Sequence, residues 1–204
     1  MGWRATGDAR YHDVYDYDRF VIARRLETPD GYESLDAFNA ELAKAIERLH
    51  RTNAQPIGQT LYGGTQSPGR LWRDGDPAIQ ALAAALLKAG AAYAAGLGHD
   101  DRHPFVRRNT GSVSLAGAWS VRLRSGGGHV DHMHPAGWVS ASYYVQVPES
   151  VRRAGQGDRR GCIRFGASGV AGLDLPAERW VRPEPGLIVF FPSYMWHGVE
   201  PFEA

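Results

Sequence analysis

The chain has 204 residues, 43% of them hydrophobic and 22% charged, and a formal net charge of +1. That length suffices for one domain with a sizeable core, while the near-neutral charge excludes the strong field of a nucleic-acid or membrane-surface binder. The lone Cys162 forbids an internal disulfide, no apolar run nears the roughly 20 residues of a membrane span, and Met1-Gly2-Trp3-Arg4 lacks the apolar core of a signal peptide, so a cytoplasmic protein with no nucleic-acid and no membrane partner is expected.

Residues 11–20 alternate aromatic and acidic side chains and lead into Phe20-Val21-Ile22, which reads as an N-terminal arm or an edge strand. His12 with Asp13 or Asp16 reads as turn chemistry. A helix is predicted after Ser34, an N-cap residue, because Leu35, Phe38, Leu42, Ile46 and Leu49 recur at three- and four-residue spacing. Residues 51–58 break that pattern, and residues 63–69 (GGTQSPG) read as a polar loop able to line a cleft. Asp76-Pro77 opens a second helix carrying Ile79, Leu82, Leu86 and Tyr93 among many alanines, stopped by Gly96-Leu97-Gly98. Both helices are expected on one face of a sheet. His99, Asp100, Asp101 and His103 follow, and read as a solvated turn.

From residue 112 the apolar period changes to two: Val113, Leu115, Trp119, Val121 and Leu123 share odd positions, with serines and arginines between. Short strands are predicted at residues 138–147, 162–165 and 187–191, punctuated by glycine and proline. This pattern predicts a mostly β fold with N-terminal helices, a jelly roll. Residues 1–111 would supply helical support and first strands, and residues 112–204 the jelly-roll core with a metal site, together forming one domain.

The chemistry concentrates in Gly126-Gly127-Gly128-His129-Val130-Asp131-His132-Met133-His134-Pro135 and in Phe190-Phe191-Pro192-Ser193-Tyr194-Met195-Trp196-His197. An open iron site needs three protein ligands on one face of an octahedron, with positions left for cosubstrate and dioxygen. Ligands at i and i+2 of an extended segment, plus one from a distant strand, satisfy that need. His132 and His134 with His197 have this spacing, and so do His129 and Asp131.

Residues 119–202 resemble the 2-oxoglutarate- and Fe(II)-dependent oxygenases of bacteria, in the group often found behind tetratricopeptide repeats. The matching stretches are Trp119-Ser120-Val121-Arg122-Leu123, His132-Met133-His134-Pro135, Ser140-Ala141-Ser142-Tyr143-Tyr144-Val145 and residues 185–197 through His197; Tyr17-Asp18-Arg19-Phe20-Val21 and Gly63-Gly64-Thr65-Gln66 also match. The resemblance implies a double-stranded β-helix, iron on His132, His134 and His197, 2-oxoglutarate as cosubstrate, and a small-molecule or protein side-chain substrate. It makes Asp131 a partner that orients an imidazole. Relatives carry an arginine for the far carboxylate of 2-oxoglutarate on a strand after the distal histidine, and this chain stops at Ala204, so loss of a last strand is expected, as is a tetratricopeptide segment in a longer parent chain. Arg122 or Arg124 could then replace that arginine, with Tyr144 donating a hydrogen bond. Two other readings fit the residues: a cupin-like three-histidine dioxygenase that dispenses with 2-oxoglutarate, and a non-catalytic jelly-roll binding module.

Overall fold

The computed structural model describes residues 1–51 and 57–203. Three short helices, α1 (Gly2–Ala5), α2 (Arg10–Val14) and α3 (Tyr17–Phe20), precede strand β1 (Ile22–Arg25). Residues 11–20 thus lie in two short helices joined at Tyr15 and Asp16, not in an edge strand. Asp16 caps α3 by accepting from the Arg19 N–H at 3.0 Å, and the strand begins at Ile22, two residues into the apolar run.

The two long helices form where their caps and periodicity place them. In α4 (Leu35–Glu47) Ser34 accepts from the Ala37 N–H at 3.1 Å, and Leu35, Phe38, Leu42 and Ala45 form the buried stripe. In α5 (Pro77–Leu97) Asp76 accepts from the Ala78 N–H at 2.9 Å, and Gly98 ends the helix with φ of 65°. The 21 residues of α5 are long and apolar enough, by length and composition alone, to cross a membrane. The expectation that no apolar run approaches that length overlooked its alanines. Here its buried side carries Ile79, Leu82, Tyr93 and Leu97. Between the helices, β2 (Leu61–Gln66) occupies part of the predicted polar loop, and residues 52–56 of the predicted break lie outside the described residues.

The remaining elements are β3 (Val121–His132), β4 (Val139–Tyr143), α6 (Glu149–Arg152), β5 (Ile163–Phe165), β6 (Arg179–Val181), β7 (Leu187–Pro192) and β8 (His197–Val199). They form a three-stranded sheet in the order β1-β7-β4 and a five-stranded sheet in the order β2-β3-β8-β5-β6, with every strand pairing antiparallel. Phe165 of one sheet meets Phe191 of the other at 5.0 Å between ring centroids, so the two sheets face each other in a jelly roll. The opposite side of the three-stranded sheet carries the helices: Tyr93 of α5 stacks on Phe190 at 5.1 Å, and the Tyr143 hydroxyl donates to Asn39 of α4 at 2.6 Å. One buried cluster draws side chains from Tyr11 to Met195, and therefore from both halves of the chain.

The alternation at residues 112–120 does not become a strand. An isolated bridge from Ala118 to Arg70, hydrogen bonds between Ser67 and Ser120 and a contact of His50 Nε2 with the Ser120 hydroxyl at 2.9 Å tie it down, and β3 starts at Val121. A period of two records a half-buried extended segment, but a strand also needs a neighbour to pair with.

Within β3 the three glycines make a bulge. From the pair Gly64–Leu123 to the pair Tyr62–Gly128, β2 advances two residues while β3 advances five. The backbones then cross closely. A Cβ on Gly64 would lie 2.6 Å from the Arg122 carbonyl, and one on Gly127 would lie 2.6 Å from the Gly63 carbonyl. This is why glycines were misread as a loop: they mark a close crossing of two strands. Gly64→Ala should cost roughly 1–3 kcal/mol in urea unfolding by forcing backbone apart, whereas Gly69→Ala, which meets nothing within 4 Å, should leave the midpoint unchanged.

Candidate metal centre

The antiparallel register of β3 and β8 sets His132 directly opposite His197. His134 follows two residues after the end of β3, where its own N–H donates to the Ser193 carbonyl at 2.8 Å, so the turn before β8 also fixes the turn after β3. One ligand nitrogen from each of His132, His134 and His197 lies within 4.8 Å of the others. The ring centroids are 4.3 Å apart for His132 and His197, 5.1 Å for His134 and His197, and 5.0 Å for His132 and His134.

Hydrogen bonding decides which nitrogen is free. The Nδ1 of His132 lies 2.8 Å from the Val130 carbonyl, and that of His197 lies 2.9 Å from the Met195 carbonyl. A carbonyl only accepts, so the proton sits on Nδ1 and the Nε2 lone pair is left for a metal. Each histidine uses the carbonyl two residues before it. Burial also keeps the rings neutral: it pushes His197 down to about 3, with the neighbouring imidazoles adding to the effect, and it lowers His132 and His134. Phe191 and Phe165 pack behind His197 at 4.6 and 6.3 Å and close that side to water. Three neutral nitrogen donors brought together where β3 ends and β8 begins fit a divalent first-row metal.

The rival pair does not converge. Both carboxylate oxygens of Asp131 accept from Arg164 at 2.9 Å, on the side of the sheet away from the imidazoles, and Arg164 also donates to Glu200 at 2.9 Å. Asp131 therefore orients no imidazole; the Val130 and Met195 carbonyls do so instead. The ion pair spans β8 at Gly198, where a Cβ would lie 2.7 Å from Asp131 Oδ1 and 3.2 Å from Arg164 Nε. Nothing in the sequence marks Arg164 or those carbonyls, because a strand pairing across β8 has no local signature. His129 stands beside the centre, with its ring 5.7 Å from that of His132 and its Nδ1 3.3 Å from the Thr60 hydroxyl. Burial pushes it down to about 4.

Arg122 is not placed to bind a cosubstrate. It follows the outward parity of β3, its side chain is 61% exposed, and it pairs with Glu47 at 3.2 Å. Tyr144 follows Ser140 and Ser142 in parity, on the same face as Phe191 and Val189, and so faces the space between the sheets. Burial raises its pKa, which keeps the phenol protonated and able to donate. Among the aromatic residues near the centre, Trp119 meets His134 at 5.6 Å and is 40% exposed at the rim. Trp138 instead donates to the Phe105 carbonyl, and Tyr143 turns to α4. The other histidine-rich turn is structural: His103 accepts from the N–H groups of Phe105 and Val106 at 3.2 Å, and its Nε2 lies 2.9 Å from the Asp13 carbonyl.

The N-terminal helices brace the distal histidine. Tyr15 Oη donates to the Tyr194 carbonyl and accepts from the Trp196 N–H, both at 3.4 Å, while the Tyr194 hydroxyl donates to the Val14 carbonyl at 2.5 Å. Glu178 accepts from Tyr11 and Tyr17 and pairs with Arg4 at 3.1 Å.

Residues 117–204 match the model of a family described as "Putative 2OG-Fe(II) oxygenase". The fold is similar to that of a Pseudomonas putida prolyl-4-hydroxylase, with 21% identity over 94% of this chain and 90% of that one and a TM-score of 0.54. It is also similar to a prolyl hydroxylase from Trichoplax adhaerens solved in complex with a hypoxia inducible factor oxygen degradation domain peptide fragment, with 12% identity over 100% of this chain and 89% of that one and a TM-score of 0.56. No curated protein matches the chain.

Two outcomes are expected. Removing one partner of the Asp131–Arg164 pair, whose side chains are 14% and 18% exposed, leaves a partly buried charge alone, so Arg164→Met should lower unfolding stability by about 3 kcal/mol and weaken metal uptake through the shifted β3–β8 register. The second outcome concerns pH. Below the ordinary histidine value of about 6.5 the unfolded chain takes up protons that the buried His197 and His129 refuse down to about 3 and about 4. Stability of the metal-free protein should therefore fall as pH drops below that value. Urea midpoints measured across this range should fall less steeply for His197→Phe.

Proposed function

We infer that this chain, whose residues 117–204 match the model of a family described as "Putative 2OG-Fe(II) oxygenase", holds iron on His132, His134 and His197 and hydroxylates a side chain of a peptide substrate. The observation that carries this reading is the convergence of three neutral imidazoles whose Nδ1 protons, in two of the three, are already committed to backbone carbonyls. Members of the family use Fe(II) and 2-oxoglutarate. When bound, that pair supplies, with dioxygen, C–H hydroxylation coupled to decarboxylation of 2-oxoglutarate to succinate.

The chain's own groups prepare this chemistry. His132 and His197 present Nε2 lone pairs without reorganisation, because Val130 and Met195 fix both tautomer and ring plane. Phe165 and Phe191 keep water from the inner side of His197. Tyr144 offers a protonated hydroxyl from the facing sheet, where it would donate to cosubstrate. On the outer side Trp119, 40% exposed and with its ring 5.6 Å from that of His134, gives the site an apolar rim. That rim, together with the fold shared with two prolyl hydroxylases, one of them solved with a peptide, supports a peptide side chain over a free polar metabolite as substrate.

The test is a turnover assay on the Fe(II)-loaded protein with 2-oxoglutarate and a proline-containing peptide library under air. Succinate should appear in step with a peptide gain of one oxygen atom, and His197→Ala should abolish both. Metal-dependent peptide oxidation without succinate would instead assign the chain to the three-histidine dioxygenases that dispense with 2-oxoglutarate.

A further inference from the structure

The registers of the two sheets divide the space between them into layers. His132, His197, Phe165, Phe191 and Ser140 share one layer, since His132 pairs with His197, His197 with Phe165, and Phe191 with Ser140, and the two phenylalanines touch. The next layer inward holds His129, Val199 and Ile163 on one sheet and Val189 and Ser142 on the other. Three of those five side chains are aliphatic. A dicarboxylate chelating a metal by its keto-acid end at the first layer would direct its far carboxylate into the second, where it requires a hydrogen-bond donor.

His129 places an imidazole in that second layer. It is the fourth imidazole of the cluster, it lies outside the group whose nitrogens come within 4.8 Å, and Nδ1 is the ring nitrogen for which the structure gives a hydrogen-bond partner. That partner, the Thr60 hydroxyl at 3.3 Å, can donate or accept. When the hydroxyl donates to Nδ1, the ring proton sits on Nε2. The backbone keeps the two residues together, because the Val130 N–H donates to the Thr60 carbonyl at 3.0 Å and Leu61 pairs with His129.

We propose that His129, with its tautomer set by Thr60, is a cosubstrate-binding residue that donates from Nε2 to the far carboxylate of 2-oxoglutarate. This rests on the reading of the site as a 2-oxoglutarate oxygenase. It gives the fourth histidine a role distinct from metal ligation, and it gives residue 60 a task as the group that fixes the donor.

The experiment is an anaerobic titration of the Fe(II)-loaded full chain with 2-oxoglutarate, followed by the visible charge-transfer absorption of the chelate, beside a separate titration of metal-free protein with Mn(II). A charge-assisted hydrogen bond is at stake, so His129→Phe should raise the 2-oxoglutarate dissociation constant by about tenfold or more. His129→Gln, whose amide N–H falls near the position of Nε2, should restore binding to within about threefold of wild type, and Thr60→Val should weaken binding because the tautomer is no longer held. Mn(II) affinity should be the same in all four proteins. Wild-type 2-oxoglutarate affinity in His129→Phe would overturn the proposal, and so would unchanged affinity in Thr60→Val or a parallel loss of Mn(II) affinity, which would make His129 a metal ligand. Should the wild-type protein itself develop no absorption with 2-oxoglutarate, the reading of the site as a 2-oxoglutarate oxygenase falls first.

Discussion

The pairing of β3 with β8 is the constraint on which the site depends. It sets His132 across from His197, and since side chains alternate along a strand, a slip of one residue would turn one imidazole out of the group. The register is locked from the far side of the sheet. Arg164 on β5 reaches over β8 to both oxygens of Asp131 on β3, so one guanidinium fixes three strands relative to one another. Gly198 lies beneath that bridge and has no side chain to lift it. An ion pair so placed contributes less through net Coulomb energy than through the penalty that any other register would incur by leaving it broken.

A second set of contacts holds the same histidines from the loop side. His134 is tied through its own N–H to the carbonyl of Ser193, and the turn that follows Ser193 is braced by Tyr15 and Tyr194. The N-terminal helices are therefore part of the metal centre in a physical sense, though none of their side chains reaches it. A site bound both through sheet pairing and through loop bracing approaches the preorganisation that an open coordination face demands, because ligand positions must persist while the remaining ones exchange.

Much of this was legible in the residues, and the rest was not for identifiable reasons. The caps Ser34 and Asp76, the helical stripes behind them and the His-x-His pair with a distant histidine are local patterns, and the structure brings those three histidines together. Misreadings arose where meaning depends on a partner far along the chain. Gly63 and Gly64 look like a loop until Gly127 is set against the first and the Arg122 carbonyl against the second. Asp131, two residues from a histidine, looks like an imidazole partner until Arg164 is seen to occupy it. Arg122 looks available until Glu47, on a helix 75 residues earlier, is found beside it. The period of two at residues 112–120 holds as burial only at Val113 and Leu115, is lost by Trp119, and was misleading as a strand, since pairing is not written in one segment alone.

The function of the site depends on which side chains bind the metal and where the diacid lies. A crystal structure of the full chain soaked anaerobically with Mn(II) and N-oxalylglycine, an unreactive mimic of 2-oxoglutarate, addresses both at once. Density for one ion bonded to the Nε2 atoms of His132, His134 and His197, with the mimic chelated to it and its far carboxylate directed between the sheets, is the expected result. An ion held by His129 and Asp131, or a mimic bound without contact to the metal, would contradict it.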